Sequence, residues 1–259
     1  MHNGGATILD LAAAAPSLAA KLRAIEQGRT PVAFSHVIEP AQPFLLAIIG
    51  RSTRRRLWVL CPTIRTQESF HDTLTNWLPT ADFLPEAEFA AVENVLPDPE
   101  ISAERLALLA RLDRDKGPGV IVTTKASLDQ PAPKAGALRA QMLSLERGAA
   151  TTMEKLLQQL VDAGYQRASQ VHTRGQFAVR GGIVDLFSWQ DQLPLRIEFF
   201  GDDIESLREF DIDTQTSVRD LRQAGVLLGA PDDQAGKVRD FISPNDLLVG
   251  QPLHARFGA

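Results

Sequence analysis

The chain has a single cysteine and a single tyrosine, and aromatic residues make up only 6% of its 259 residues. One cysteine cannot form an internal disulfide framework, and its isolation is typical of a protein from a reducing compartment. No apolar run reaches the roughly 18 residues that a membrane-spanning helix needs. The first residues, Met-His-Asn-Gly-Gly, do not have the pattern of a signal peptide. We therefore expect a cytoplasmic protein without a membrane partner.

The composition is that of an ordinary globular protein, with 44% hydrophobic and 23% charged residues. A chain of this length forms one large or two ordinary domains, and it can bury a core without disulfides. The formal net charge of −5 argues against a nonspecific grip on nucleic acid by the whole surface. It leaves room for a local basic patch.

Short apolar strand patterns alternate with helical patterns in the first half of the chain. The strand patterns lie at 31–36, 57–60 and 120–124, and the helical patterns lie at 43–50, 66–78 and 102–112. Such alternation predicts an α/β fold around a mostly parallel sheet that is covered on both faces. We assign this first domain to residues 1–140.

A second unit begins near Gln141, where the composition changes. The pattern Thr151-x-x-Glu154 predicts a capping box at the start of a helix that ends near Gly164. Three strand patterns follow, at 177–187, 195–200 and 204–211. These features predict a compact α+β domain over residues 141–222. We expect residues 223–259 to be a linker and a truncated return toward the first domain.

No group of residues has the spacing of a known catalytic or metal site. The five histidines are scattered along the sequence, at His2, His36, His71, His172 and His254. Cys61 ends an apolar strand pattern, which favours a small core residue over a nucleophile. The pair Asp202-Asp203 follows a glycine and is typical of a turn between strands, with a metal site as the alternative. We expect no catalytic, cofactor or metal site.

The loop after the first strand pattern is where a nucleotide-binding sheet would carry a phosphate loop. Residues Ser35–Pro43 occupy this loop and include neither glycine nor lysine. Two prolines there lack N–H donors, and Glu39 would repel phosphate. The sequence therefore predicts no nucleotide binding at this position.

The densest basic run is Arg54–Arg56, just before the strand pattern 57–60. One interpretation is a solvated loop that leads into the strand, and the other is a set of phosphate contacts. Without interleaved aromatic residues the run is weak evidence. It leaves open the hypothesis of a bare nucleic-acid-binding domain.

The second unit resembles the domain that the excinuclease component UvrB shares with the bacterial transcription-repair coupling factor. The matching residues are Gly175–Phe187, Arg196–Arg208 and Phe210-Asp211 with Thr214-Gln215, and weaker matches lie at Pro97–Leu106 and at Asp162 with Gly164-Tyr165. The resemblance extends over roughly residues 25–255. It implies an α/β fold in which a degenerate RecA-like, helicase-type parallel sheet domain carries an inserted small α+β UvrB-interaction-type domain.

Two departures from UvrB favour the coupling factor. UvrB is an ATPase with a phosphate loop, which this sequence lacks, and it has a long aromatic-rich hairpin that clamps DNA. Here the span corresponding to the hairpin, Phe83–Ile101, is short and has no tyrosine.

The resemblance therefore implies a non-catalytic module that recruits the excinuclease component UvrA in transcription-coupled nucleotide excision repair. A DNA-binding ATPase like UvrB is the alternative. The coupling factor as a whole is a DNA translocase ATPase, and its partners DNA and RNA polymerase would bind through domains that are absent from these 259 residues.

By motif position, the resemblance places the contacts with UvrA on Arg180, Arg196 and Phe200. Residues two apart in a strand share a face, so the pattern 195–200 predicts that Arg196, Glu198 and Phe200 point away from the core. An exposed phenylalanine beside arginine is typical of a protein interface. We expect alanine at each of the three positions to abolish binding and to leave the fold intact.

Structural roles are the alternatives for these three residues. Phe200 could be a core residue at the end of a strand. The two arginines could form ion pairs with Glu198, Asp202 or Asp185.

Overall fold

The computed structural model describes residues 7–29, 31–87, 99–228, 235–250 and 254–257. The described helices are α1 (Ile8–Ala13), α2 (Pro16–Glu26), α3 (Gln42–Ser52), α4 (Ile64–Thr75), α5 (Pro99–Arg114), α6 (Ala137–Ala140) and α7 (Met153–Asp162). None of them combines the length and the apolar character that crossing a bilayer requires. Most of the predicted span Phe83–Ile101 lies outside the described residues.

Each of the six strand patterns overlaps at least one described strand, and the structure has further strands outside these patterns. The described strands are β1 (Val32–Ala33), β2 (Arg56–Cys61), β3 (Asp82–Phe83), β4 (Gly119–Thr124), β5 (Pro131–Ala132), β6 (Met142–Glu146), β7 (Gln166–Arg167), β8 (Gln176–Arg180), β9 (Ile183–Phe187), β10 (Leu195–Phe200), β11 (Asp203–Phe210), β12 (Ser217–Leu221), β13 (Gln223–Leu227), β14 (Gly236–Lys237), β15 (Leu247–Gly250) and β16 (His254–Phe257).

The chain divides into two compact units. The first contains residues 1–88, 115–130 and 237–259, and the second contains residues 89–114 and 131–236. This division differs from the predicted segments 1–140, 141–222 and 223–259. Helix α5 groups with the second unit, where it contacts α6. Strand β13 does so as well, because it pairs antiparallel with β6.

The first unit is built around a six-stranded sheet in the order β1-β16-β15-β2-β4-β3. Strands β15, β2, β4 and β3 run parallel, and β16 is antiparallel to β15 and β1. Leu57 and Val59 of β2 pack in the core with residues of α3 and α4. Trp58 points to the other face, is fully buried, and donates its indole N–H to Asp246 at 2.9 Å. The predicted α/β class with a parallel sheet is confirmed.

The second unit contains a six-stranded sheet in the order β12-β11-β10-β9-β8-β7. Its pairs are antiparallel except that between β7 and β8. One face packs against helix α7, where the fully buried Leu156 and Leu160 meet Leu186 and Ile197 of the sheet. Because side chains alternate along a strand, the residues between these core positions point to the opposite face.

Helix α7 begins one residue later than the sequence pattern predicts. Its N-cap is Thr152, whose hydroxyl oxygen accepts a hydrogen bond from the Lys155 N–H at 3.2 Å. Thr151 instead donates its backbone N–H to the carbonyl oxygen of Asp202 at 3.0 Å. The predicted capping box of Thr151 and Glu154 is therefore wrong. The hydrogen bond to Asp202 ties Thr151 to the sheet, and the helix is capped by the next residue.

We predict that Thr152→Ala lowers the free energy of unfolding of the second unit by about 1 kcal/mol, because the first turn of α7 loses its side-chain acceptor. Thr151→Ala is the matched control, since its hydrogen bond to Asp202 comes from the backbone and survives the change. Urea unfolding followed by circular dichroism measures both. Equal losses in the two variants would contradict the assignment of the cap.

Candidate functional site

The hairpin between β8 and β9 sets the position of Arg180. Arg180 pairs with Ile183 across a two-residue turn, in which Gly181 has a φ of 60°. A glycine takes this conformation at little cost, and such turns match the twist of the strands that they join. The carbonyl oxygen of Gly182 accepts a hydrogen bond from the Phe199 N–H at 2.8 Å. The hairpin is thus fixed to β10, the strand that carries the other two candidate residues.

We call the face of the sheet opposite α7 the outer face. Its side chains include those of Ala178, Arg180, Asp185, Arg196, Glu198 and Phe200. On β10 the alternate residues Leu195 and Ile197 are buried in the core, and Phe199 packs against it. The predicted assignment of the two faces of this strand is therefore confirmed.

A buried carboxylate lies at the centre of the outer face. Asp185 is 1% exposed and pairs in register with Arg196 on one side. The Nε–H of Arg196 donates to Oδ1 of Asp185 at 2.6 Å, and Nη2 donates to Oδ2 at 3.0 Å. Nη2 of Arg180 donates to the same Oδ2 at 2.7 Å. Of the three carboxylates that the sequence leaves open as partners, Asp185 is the one that pairs with both arginines.

The Arg196 side chain is held on several sides and is only 15% exposed. Its guanidinium carbon lies 4.3 Å from the centre of the Phe210 ring, a cation–π contact. Nη2 also donates to Oε1 of Gln215 at 3.1 Å. The hydrogen bonds to Asp185 raise the pKa of Arg196 above its already high ordinary value. Arg196 is therefore a fixed charge with one orientation.

Arg180 is less restricted than Arg196, because 54% of its side chain is exposed. Within the described part of the chain, its guanidinium makes one hydrogen bond, the one to Asp185. Its other N–H groups remain available to a partner.

Phe200 lies at the end of β10 and is 78% exposed, more than any other large hydrophobic side chain among the described residues. The interpretation of Phe200 as a core residue is therefore wrong. Gly201 follows at a φ of 61°, and Asp203 pairs with Phe200 at the start of β11. Gly201 and Asp202 form the hairpin turn, so the interpretation of the pair Asp202-Asp203 as a turn is confirmed for Asp202, whereas Asp203 begins β11.

A second ion pair on the outer face was not predicted from the sequence. Glu198 accepts hydrogen bonds from the Ser206 hydroxyl at 2.8 Å and from Arg208. Arg208 lies directly opposite Arg196 across β10 and β11. Like charges in opposite positions destabilise a sheet, and here each arginine has its own carboxylate. Only the strand register reveals this arrangement, because the partners in each ion pair are ten or more residues apart in the sequence.

The basic run Arg54–Arg56 does not form a single solvated loop. Arg56 is the first residue of β2, is 4% exposed, and donates to the backbone carbonyl oxygen of Asp115. Arg55 donates to the carbonyl oxygen of Asn245 at 3.2 Å, and Arg54 is exposed. The interpretation as a solvated loop is therefore wrong for Arg56.

Cys61 is fully buried at the end of β2. Burial raises the pKa of its thiol to about 11, so little reactive thiolate exists at neutral pH. The described residues contain no group of three or more His, Cys, Asp or Glu side chains placed to hold a metal ion.

Residues 143–228 match the UvrB interaction domain family, and this span includes Arg180, Arg196 and Phe200. The chain therefore contains a UvrB interaction domain.

The wider similarity is to the transcription-repair-coupling factors. The chain is 33% identical to the transcription-repair-coupling factor of Mycobacterium tuberculosis over 193 residues. This alignment covers 71% of this chain and 16% of the relative. The chain is 25% identical over 202 residues to the factor of Bacillus subtilis, which covers 75% of this chain and 17% of the relative. The factor of Escherichia coli is 28% identical over 184 residues, or 71% of this chain and 16% of the relative.

These matches confirm the resemblance to the coupling factor. The matched parts of the chain are homologous to the transcription-repair-coupling factors. They span about a sixth of the length of these relatives.

We predict that Arg196→Ala lowers the free energy of unfolding by about 2 kcal/mol or more, because it removes two hydrogen bonds from a buried carboxylate. Arg180→Ala, at the exposed end of the same network, should cost about 1 kcal/mol or less. Urea unfolding of both variants measures the difference. The expectation from the sequence that Arg196→Ala leaves the fold intact stays a prediction, to which the burial of Asp185 adds a loss of stability. An equally small loss in both variants would contradict the larger role of Arg196.

A carboxyl group with a raised pKa lies elsewhere in the second unit. Asp191 is partly buried, and its pKa is raised from 3.8 to about 7, chiefly by desolvation and further by the nearby Glu209 charge. Between pH 3.8 and about 7, the folded state therefore keeps a proton on Asp191 that the unfolded state has released. This linkage makes the stability fall as pH rises from about 4 to about 7.

We predict that Asp191→Asn removes this part of the pH dependence, because the amide does not titrate. The free energy of unfolding of the variant relative to the wild type should rise by about 1 kcal/mol or more between pH 5 and pH 8. Urea unfolding at the two pH values measures it. A difference between variant and wild type that is the same at both pH values would contradict the raised pKa.

Proposed function

We propose that this chain is a non-catalytic docking module whose UvrB interaction domain binds the excinuclease component UvrA, and that it recruits UvrA in transcription-coupled nucleotide excision repair. The observation that carries the proposal is the outer face of the second sheet. There Phe200 is the most exposed large hydrophobic side chain of the described residues, and it shares a face with two arginines held by one carboxylate.

The outer face has the chemistry of a protein interface. Phenylalanine and arginine side chains are enriched at such interfaces, and a few of them supply most of the binding energy. Two arginines share the single charge of Asp185, so the cluster keeps one net positive charge. A partner surface with a carboxylate beside an apolar hollow complements this arrangement. Because the sheet already holds Arg196, little conformational entropy is lost on binding.

The first unit supports a scaffolding role in this proposal. It contains a mostly parallel sheet, but the phosphate-loop position, from the end of β1 to the first turn of α3, holds Glu39, Pro40 and Pro43 in place of glycine and lysine. We infer a degenerate RecA-like domain with no ATPase activity. The second unit lies between segments of the first in the sequence, which supports its insertion into that domain.

The translocase activity and the contacts with DNA and RNA polymerase belong, in this proposal, to parts of the family protein outside this chain. The similarity to the coupling factors covers only about a sixth of their length and is consistent with this division. A cytoplasmic location follows from the proposed role in DNA repair.

We predict that Phe200→Ala weakens binding to purified UvrA about 30-fold, since an interface anchor contributes about 2 kcal/mol. Val218→Ala is the matched control, because Val218 is also an exposed hydrophobic side chain, at 57%, but lies on the edge strand β12, which β11 separates from β10. Isothermal titration calorimetry measures both affinities, and circular dichroism confirms that both variants are folded.

Unchanged affinity in a folded Phe200→Ala variant would contradict the docking site. Absence of binding by the wild-type chain would contradict the proposed partner. DNA-stimulated ATP hydrolysis by the purified chain would favour the alternative, an ATPase like UvrB.

A further inference from the structure

Asp185 combines almost complete burial with a full set of charged donors. It is 1% exposed, yet its two oxygens accept three hydrogen bonds from Arg180 and Arg196. An ionised carboxylate loses much of its hydration on burial, and it is stable there only when its partners are well placed. The geometry of both arginines is therefore tied to one buried carboxylate.

The strand register explains how two arginines reach the same carboxylate. Asp185 lies between Ala178 of β8 and Arg196 of β10. The small side chain of Ala178 leaves space next to the carboxylate, and Arg180 reaches into it from two residues further along β8, on the same face. Arg196 approaches from the other side. The Asp185 carboxylate, on β9, thus links Arg180 of β8 to Arg196 of β10, the strand that ends at Phe200.

We propose that Asp185 is a positioning residue of the docking site. It is too buried to touch a partner, and it acts by holding the guanidinium groups of Arg180 and Arg196 in the orientation that the partner binds. Long arginine side chains have many rotamers in solution, and fixing them before binding reduces the entropy that association costs. This inference rests on the proposed function, because it concerns the same site.

A double-mutant cycle tests the role of Asp185 in binding. Asp185→Asn keeps the shape of the side chain and removes its charge, and it should weaken the affinity for purified UvrA by about tenfold or more. In the background of Arg180→Ala the same change should have a smaller effect, because one of the two arginines that Asp185 positions is already gone. Thr152→Ala is the control for a general loss of stability and should leave the affinity unchanged.

Equal effects of Asp185→Asn in both backgrounds would overturn the proposal, because Asp185 would then act independently of Arg180. An unchanged affinity in the wild-type background would also overturn it. If Asp185→Asn does not fold, Asp185→Glu takes its place. Glutamate keeps the charge but moves it by one methylene, and the same loss of affinity and the same coupling are expected.

A second measurement needs no partner and separates this inference from the proposed function. In ¹⁵N NMR spectra of the free chain, the Nε–H of Arg196 should exchange slowly with water and have a high order parameter, and Asp185→Asn should abolish both. If these results are found but UvrA does not bind, the proposed function fails and the positioning role of Asp185 in the free domain stands. A mobile, rapidly exchanging Arg196 Nε–H in the wild type would overturn the positioning role itself.

Discussion

The outer face of the second unit depends on one interaction, the buried Asp185 carboxylate shared by two arginines. Asp185 is 1% exposed, so its charge is stable only while Arg196 and Arg180 donate to it. Arg196 in turn lies over Phe210 and donates to Gln215, which extends the network to the far end of β11. The same contacts that hold the sheet together on this face also present its charges in a fixed arrangement.

The two faces of this sheet have different roles: the inner face stabilises the fold, and in our proposal the outer face binds the partner. The inner face packs apolar side chains against α7, and these contacts supply the driving force for folding. The outer face carries charged groups beside a smaller apolar cluster that includes Phe187 and Phe210, and Phe200 lies outside both apolar clusters. An exposed Phe200 is unfavourable in water, and a partner that covers it recovers this free energy. This physical asymmetry is the basis of the docking proposal.

Much of the fold could be predicted from the sequence, because strands and helices leave strong apolar patterns. The strands around Leu57–Leu60 and Val120–Thr124 and the alternation in Leu195–Phe200 are examples. The start of α7 was missed by one residue, because a hydrogen bond to a distant hairpin decides which threonine is the cap. That hydrogen bond joins residues that are far apart in the sequence, so the local pattern cannot predict it.

The same limit applied to the candidate site. The sequence indicated Arg180, Arg196 and Phe200 through motif position, and the exposure of Phe200 followed from alternation along β10. It left three carboxylates as possible partners of the arginines, because only the register between β9 and β10 places Asp185 beside Arg196. The ion pair of Glu198 and Arg208 was not predicted for the same reason, since its geometry depends on the pairing of β10 with β11.

A hydrogen–deuterium exchange footprint of the chain with and without purified UvrA shows which face of the chain is the docking surface. We expect added protection to concentrate at the ends of the two hairpins, around Arg180–Ile183 and Phe200–Asp203, and along β10. Protection confined to the first unit, or no protection at saturating UvrA, would contradict the assignment of the outer face as the docking surface.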